Sequence, residues 1–456
     1  MSPSKVVTID FNSFHNIING ELRSSKQKYH GVDPATGEPN WDVPVATEQD
    51  VDEAVVAATK AFNEWKKTTW AERQQRIVRF QEAIESYSSE LAELLMKECG
   101  KPRMFAAAEA GSIAKFADWH ANLPEPDATP IDLEDRTVVN KYQPLGVAAA
   151  ICPWNFPLSL ASLKIFPAVL MGCAVIVKPS PFTPYSALKL VEIAQQVFPP
   201  GSFTGSIATG KKIAASAAKT VKRVTLEMGG NDPAIVLPDA DIAKLAPRVA
   251  MGAFFNTAQV CVASKRIYVH SSIYEEFLAA FIDATKTLKV GASNEEGVML
   301  GPIQNEMQYN KVKTYYADTK SKGYKVAYGS LDVQDGKGFF INPAIIDNPP
   351  DDALVVTEEP FGPIVPVQSY DDIDEVIRRA NDTKVGLGAT VWGSDPKTLQ
   401  SVADRIETGT VWINSFPSPA ASGQFGGVKE SGLGTELGTL GILAYANVKC
   451  IHTFKA

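Results

Sequence analysis

The sequence is poor in cysteine. Five thiols, Cys99, Cys152, Cys173, Cys261 and Cys450, are spread over 456 residues. That is too few and too scattered for a disulfide scaffold. No Cys-x-x-Cys or His-Glu-x-x-His occurs, so a zinc site with sequence-local spacing is excluded. Reduced thiols in this number suit a cytosolic protein. Excess positive charge is also lacking: 44 Lys and Arg stand against 52 Asp and Glu, a formal charge of −8. A nucleic-acid footprint needs clustered basic residues, and there are none. The 30 prolines and 32 glycines are scattered, which excludes collagen-like and low-complexity chains. The first ten residues lack the apolar core of a secretory leader. Gly-x-Gly-x-x-Gly, the usual dinucleotide fingerprint, is absent. One uncharged stretch, Tyr142 to Leu163, is long enough to span a bilayer. Pro144, Pro153 and Pro157 break any single helix there, so we read it as buried loop and strand.

What is present is the composition of a soluble globular chain, 45% hydrophobic and 21% charged. The length calls for two or three domains. Residues 13–45 read as short strands and turns. Thr47 with Asp50 three places on is a capping box, and the apolar residues from Val51 to Trp65 recur at helical spacing. Helices are expected over Trp70 to Tyr87, Ser89 to Cys99 and Ala106 to His120. Buried strands follow at Val147–Ile151 and Ala174–Val177, with helices at Pro184 to Val197 and Ile207 to Lys219. Val224–Leu226 and Ala234–Leu237 are further strands, and strands continue at Ile267–Val269, Ala344–Ile346, Ala389–Trp392 and Thr410–Ile413. Apolar strands alternating with helices predict an α/β chain with largely parallel sheets. The tail from Asn447 to Phe454 reads as a strand with no local partner, one that pairs elsewhere or across a subunit boundary.

Several segments carry chemistry. Cys261 follows Phe254-x-Asn256-x-x-Gln259. A thiolate is the best neutral-pH nucleophile among side chains, although burial as an inert structural thiol is the commoner fate of a lone cysteine. Glu227 stands at a strand end before Gly229-Gly230, where a carboxylate is costly unless paired or functional. Asn155, in Cys152-Pro153-Trp154-Asn155-Phe156-Pro157, offers an amide to a developing oxyanion, or else caps a turn. Gly205-Ser206 through Gly210-Lys211-Lys212 nearly matches a P-loop. Lys212 cannot supply the hydroxyl that holds magnesium, which excludes an NTPase. The helix start at Ser206 remains a good phosphate seat. Glu358-Glu359-Pro360-Phe361-Gly362-Pro363 and Phe425-Gly426-Gly427-Val428-Lys429-Glu430-Ser431-Gly432 are weak signals singly.

In this order, over nearly the whole chain from about residue 13, these motifs resemble the aldehyde dehydrogenase superfamily. The resemblance implies a Rossmann-like cofactor domain (1–120 and 145–229), an α/β catalytic domain (230–429) and a small β oligomerisation arm (121–144 and 430–456). It implies Cys261 as nucleophile, Glu227 as general base, Asn155 as oxyanion donor and Lys164 as the lysine behind the base. Lys178 and Glu359 match the residues that hold the two riboses of NAD or NADP, Gly205 and Ser206 the pyrophosphate contact, and Trp154 and Phe361 the flanks of the nicotinamide path. Ser180, beside Lys178, is a further cofactor candidate, able with it to meet a 2′-phosphate. An aldehyde substrate, a homodimer or homotetramer, and no nucleic-acid or membrane partner are implied.

Two departures matter. Pro181 occupies the place, three after Lys178, where NAD-preferring members usually carry a glutamate. After Val197-Phe198 the chain passes through Pro199-Pro200-Gly201 almost directly to Phe203-Thr204-Gly205, so about 25 family residues, most of a βα unit, are absent. This predicts missing strands beside Ala174–Val177 and uncovered sheet surface. The alternative it raises is an impaired member that binds cofactor weakly. Transfer of the acyl group to coenzyme A is a further reading, against which Glu227 argues.

Overall fold

A computed structural model describes residues 9–126, 128–198, 203–204, 210–333 and 336–455. Helices begin where the sequence supplies caps. Thr47 and Asp50 form the reciprocal box that starts Glu48–Trp65, and Thr69 with Glu72 does the same for Trp70–Ser86. Ser88–Cys99 stops at Gly100, whose φ of +69° is the left-handed cap that glycine adopts freely. Arg103–Ala121 begins three residues before the expected Ala106. Part of the uncharged stretch is helical: Pro157, placed in the first turn where its missing N–H costs nothing, opens Pro157–Met171. Among the described residues no helix is long and apolar enough to cross a membrane.

These helices surround a small parallel sheet in the order Val147–Ile151, Ala174–Lys178, Phe203–Thr204. Phe80, Ile113, Leu158, Phe166 and Leu190, all fully buried, fill the core between them. The expected gap beside Ala174–Val177 is not found. Phe203 and Thr204 pair in parallel with Val177 and Lys178, so the helix Tyr185–Ala194 does return into the sheet, through a strand of two residues. The open edge lies on the other side. Among the described residues Val147–Ile151 has one neighbour, and Ala149 is exposed.

A seven-stranded sheet follows, ordered Val326–Tyr328, Ala344–Asp347, Ile364–Tyr370, Arg266–His270, Pro233–Val236, Gly388–Trp392 and Thr410–Ile413. All neighbours are parallel except the first pair. Phe254, Phe277 and Phe281 from the helices Ile242–Phe254 and Tyr274–Lys286 pack one face. Val376, Ile377, Leu399 and Val402 pack the other. Two-sided burial is what the continuous apolar runs predicted.

The expected strand over Val224–Leu226 is displaced. Only Leu226–Glu227 is extended, and it pairs antiparallel with Gly432–Leu433 rather than joining a parallel sheet. The tail strand, Ala446–Phe454, finds its partner within its own chain. It pairs antiparallel with Arg136–Pro144 over nine residue pairs, and Ile131–Asp132 lies on the far edge. Val448 and Phe454 on this sheet are more than half exposed.

Candidate active site

The candidate residues converge where the carboxyl ends of the small sheet meet the amino ends of the large one. Asn155 follows Val147–Ile151, and Lys178 ends its strand. Cys261 precedes Arg266–His270, and Glu227 lies six residues before Pro233–Val236.

Cys261 stands on a loop built against the ordinary backbone preference. Asn256, Thr257 and Ala258 have φ of +52°, +57° and +59°. Left-handed conformations of non-glycine residues cost about 1–3 kcal/mol each and persist only where the surroundings hold them. Here Thr257 Oγ1 donates to the Gly301 carbonyl at 2.9 Å. Gln259, 2% exposed, donates to Asn256 and Pro302 carbonyls and accepts from the Gln304 N–H at 2.8 Å. The sequence pattern flagged Asn256 and Gln259 but not this supporting work. Asn155 Nδ2 donates to the Gln259 carbonyl at 3.0 Å, which brings its amide to the cysteine loop with a second N–H to spare.

The Glu227 carboxylate faces the Cys261 thiol. Burial pushes the thiol well above its ordinary range, the Glu227 charge adds to this, and Lys265 opposes it. Burial likewise raises Glu227, with Glu436 reinforcing the rise and Lys164 opposing it. Lys164 Nζ sits 2.8 Å from Glu436 Oε1. Burial works against its charge, but Glu436, Cys152 and Glu227 outweigh it and hold the ammonium above its usual range. Glu436 was not singled out in the sequence; it lies more than 200 residues from Glu227, beyond any local pattern.

The glycine-rich loops serve the protein's own groups. A Cβ on Gly229 would lie 2.2 Å from Glu359 Oε2, and one on Gly230 would lie 2.9 Å from the Cys261 carbonyl. What approaches Gly229-Gly230 so closely is therefore protein. The loop at 425–432 backs Glu227: Ser431 accepts from Met228 N–H at 2.8 Å through its carbonyl, and its Oγ donates to the Gly229 carbonyl. A side chain on Gly432 would meet the Leu226 carbonyl at 2.5 Å. Leu163, Val260, Leu387, Phe425 and Trp412 form an apolar wall around Cys261.

Trp154 and Phe361 meet edge to face, with ring centroids 5.3 Å apart. Phe361 has φ of +51° and is held there by Gln308 Nε2, which donates to the carbonyls of Pro360 and Phe361. Lys178 donates to the Pro179 carbonyl at 3.2 Å, and among the described residues no carboxylate meets its half-buried ammonium. Burial pulls this group below its usual range. A cation without a counter-ion, at the carboxyl end of a parallel strand, fits the hydroxyl and phosphate oxygens of a dinucleotide. Ser180 is buried, and its Oγ accepts from the Phe182 N–H, so it holds the turn. Pro181 is exposed. Gly205 and Ser206 lie outside the described residues.

A buried ion pair underpins the Asn155 turn. Lys101 Nζ meets Glu109 Oε2, and Glu109 Oε1 accepts from the Leu158 and Ser159 N–H groups at the start of Pro157–Met171. Breaking a buried pair leaves an unmet charge. Glu109→Ala is expected to cost about 3–5 kcal/mol in a denaturant titration. A loss below about 1 kcal/mol would show that the pair does not hold this turn.

A family model described as "Aldehyde dehydrogenase family" matches residues 22–202 and 201–451. Aldehyde dehydrogenase LUC3 of Fusarium sp is 39% identical over 473 aligned residues, covering 98% of this chain and 100% of that protein. The mitochondrial succinate-semialdehyde dehydrogenase of Oryza sativa subsp. japonica is 36% identical, covering 92% of this chain and 85% of that protein. Among solved structures, the betaine aldehyde dehydrogenase of Staphylococcus aureus in complex with NAD+ superposes with a TM-score of 0.92 at 32% identity, over 97% of this chain and 94% of that one. The architecture and the likeness define an α/β oxidoreductase. The chain belongs to the aldehyde dehydrogenase family. The LUC3 alignment is longer than the chain's 456 residues, and the two stretches of the family model meet at residues 201–202, the junction where the sequence implied a loss.

Proposed function

We propose that this NAD(P)-dependent aldehyde dehydrogenase oxidises its aldehyde to a carboxylic acid through a thioester on Cys261. The observation that carries the reading is the Glu227 carboxylate facing the Cys261 thiol inside an apolar wall. Cys261 gives its proton to solvent water, and its sulfur bonds to the carbonyl carbon as the carbon–oxygen double bond opens to an oxyanion. The negative charge that develops on oxygen falls to the spare N–H of Asn155 and to the Cys261 backbone N–H, each worth about 3 kcal/mol at such sites. When bound, NAD(P)+ supplies the acceptor for the aldehyde hydrogen and its electron pair. Lys178 and Glu359 would hold its riboses, Gly205 and Ser206 its pyrophosphate, and Trp154 and Phe361 would flank its nicotinamide. Glu227 then takes a proton from water. The hydroxide adds to the thioester carbon, the carbon–sulfur bond breaks, and the acid leaves. Lys164 faces Glu227 from behind and steadies its charge, against the opposing charge of its ion-pair partner Glu436.

The same reading assigns residues 1–120 and 145–229 to the cofactor, 230–429 to catalysis, and 121–144 with 430–456 to an arm that joins a homodimer or homotetramer. The exposed Val448 and Phe454 on the arm sheet support that assembly. Five cysteines, none in a disulfide among the described residues, favour the cytoplasm. The impaired-member alternative is not favoured, because Phe203–Thr204 closes the crossover and the chemical residues converge.

Cofactor choice is expected to be relaxed. A carboxylate three places after Lys178 would repel a 2′-phosphate and accept hydroxyl bonds; Pro181 does neither. NADP should support turnover within about tenfold of NAD. An aldehyde panel assayed with both cofactors, followed at the absorbance of the reduced nicotinamide, tests this together with the activity. A preference for NAD of about a hundredfold would contradict the role given to Pro181.

A further inference from the structure

Beneath the cysteine lies a buried cation that the mechanism above does not use. Lys265 is 4% exposed. Its Nζ donates to the carbonyl oxygen of Cys261, one helical turn earlier in sequence number, and sits 2.9 Å from Glu359 Oε1. It also lies 5.9 Å from the centroid of the Phe361 ring. Asp232, 3% exposed, faces the same ammonium. A buried ammonium is expensive unless its charge is met, and here the Glu359 carboxylate and a carbonyl meet it, with the Asp232 charge farther off.

The consequence falls on Glu359. Its Oε1 is taken by Lys265 and by the Gly230 N–H at 3.3 Å. Its Oε2 lies over Gly229, and among the described residues no hydrogen bond is donated to it. One oxygen is fixed and the other is left as an acceptor. Without the Lys265 charge, Glu359 and Asp232 would repel each other, and Glu359, which is partly exposed, would turn to solvent.

We propose that Lys265 is a positioning residue: it locks Glu359 with Oε2 presented to a cofactor hydroxyl, and ties that carboxylate to the backbone of the nucleophile. The proposal rests on the reading of Cys261 as nucleophile and Glu359 as a ribose ligand. The charged groups facing the thiol are the acids Glu227 and Asp232 and the cation Lys265. Removing the cation therefore also makes the thiolate harder to form.

The test compares wild type, Lys265→Met, Glu359→Gln and the double variant, each checked for its fold by circular dichroism. NAD binding is measured by calorimetry without aldehyde, and Cys261 alkylation by iodoacetamide is followed by mass spectrometry from pH 6 to 10. Lys265→Met and Glu359→Gln are each expected to weaken NAD binding about tenfold, and the double variant no further, because both remove one contact. The alkylation profile of Lys265→Met should move up by about one pH unit. Should Lys265→Met fail to fold, Lys265→Gln, which keeps a donor to the Cys261 carbonyl but loses the charge, takes its place in the cycle. Normal NAD binding by Lys265→Met alongside a loss in Glu359→Gln would overturn the positioning role and leave the ribose reading standing. Fully additive losses would overturn it too. Normal NAD binding by Glu359→Gln would overturn the ribose reading itself, and the proposal with it.

Discussion

Cys261→Ser is expected to remove dehydrogenase and esterase activity together, by at least about 10⁴-fold. A serine hydroxyl is far less acidic than a thiol, and the charged groups acting at position 261 among the described residues are Glu227, Asp232 and Lys265 rather than a histidine. Cys152→Ser and Cys173→Ser should keep both activities. Cys152 is the rival thiol by sequence, because it adjoins the Pro153-Trp154-Asn155 turn. It is fully buried, and burial pushes it up to about 12, with Lys164 and Lys178 opposing and Glu436 adding. Cys173 is also raised by burial. Cys261 is raised as well, but it is only half-buried, and the Lys265 charge favours its thiolate. An aldehyde-mimicking alkylator should mark Cys261 first. Preferential marking of Cys152 would sink the assignment.

Glu227→Gln is expected to separate the two halves of the reaction. Acylation of Cys261 should persist while hydrolysis of the thioester falls by about 10²–10⁴-fold, the usual weight of a general base. A burst of reduced cofactor followed by a slow steady state is the signature. The pH dependence follows from the raised carboxyl. The base works ionised. A folded-state value above the ordinary carboxylate range moves the acid limb of hydrolysis up in pH, and activity is lost as pH falls through that raised value. Glu227→Gln should lose this limb. Equal loss of the burst and the steady state would show that Glu227 acts before the thioester forms.

Local rules were legible in the sequence; contacts between distant segments were not. The capping box at Thr47 and the helix end at Cys99 depend on a few neighbouring residues, and the structure reproduces both. The apolar runs that became the seven-stranded sheet needed only their length and flanks. By contrast, Leu226–Glu227 pairs with Gly432–Leu433, and no periodicity announces a partner 200 residues away. The tail strand was recognisable, but its partner at Arg136–Pro144 was not. At the site, the residue types that do chemistry stood out because each is costly or rare in its setting: a thiol, a strand-end carboxylate, an amide among prolines. Lys265, Asp232 and Glu436 escaped notice for the opposite reason. As polar residues they look like surface until the fold shows that they are enclosed. The close approach to Gly229-Gly230 is made by Glu359 and the Cys261 backbone, which no local pattern announces.

Oxidation through Cys261 requires a covalent acyl intermediate on its sulfur. A single turnover of the wild-type chain with an aldehyde and NAD, quenched in acid and digested, tests it most directly. A mass increase equal to the acyl group is expected on the peptide that contains Cys261, larger in Glu227→Gln than in wild type, with Cys152 and Cys173 unmodified. Carboxylic acid formed at a normal rate with no adduct on Cys261 in either chain would contradict it.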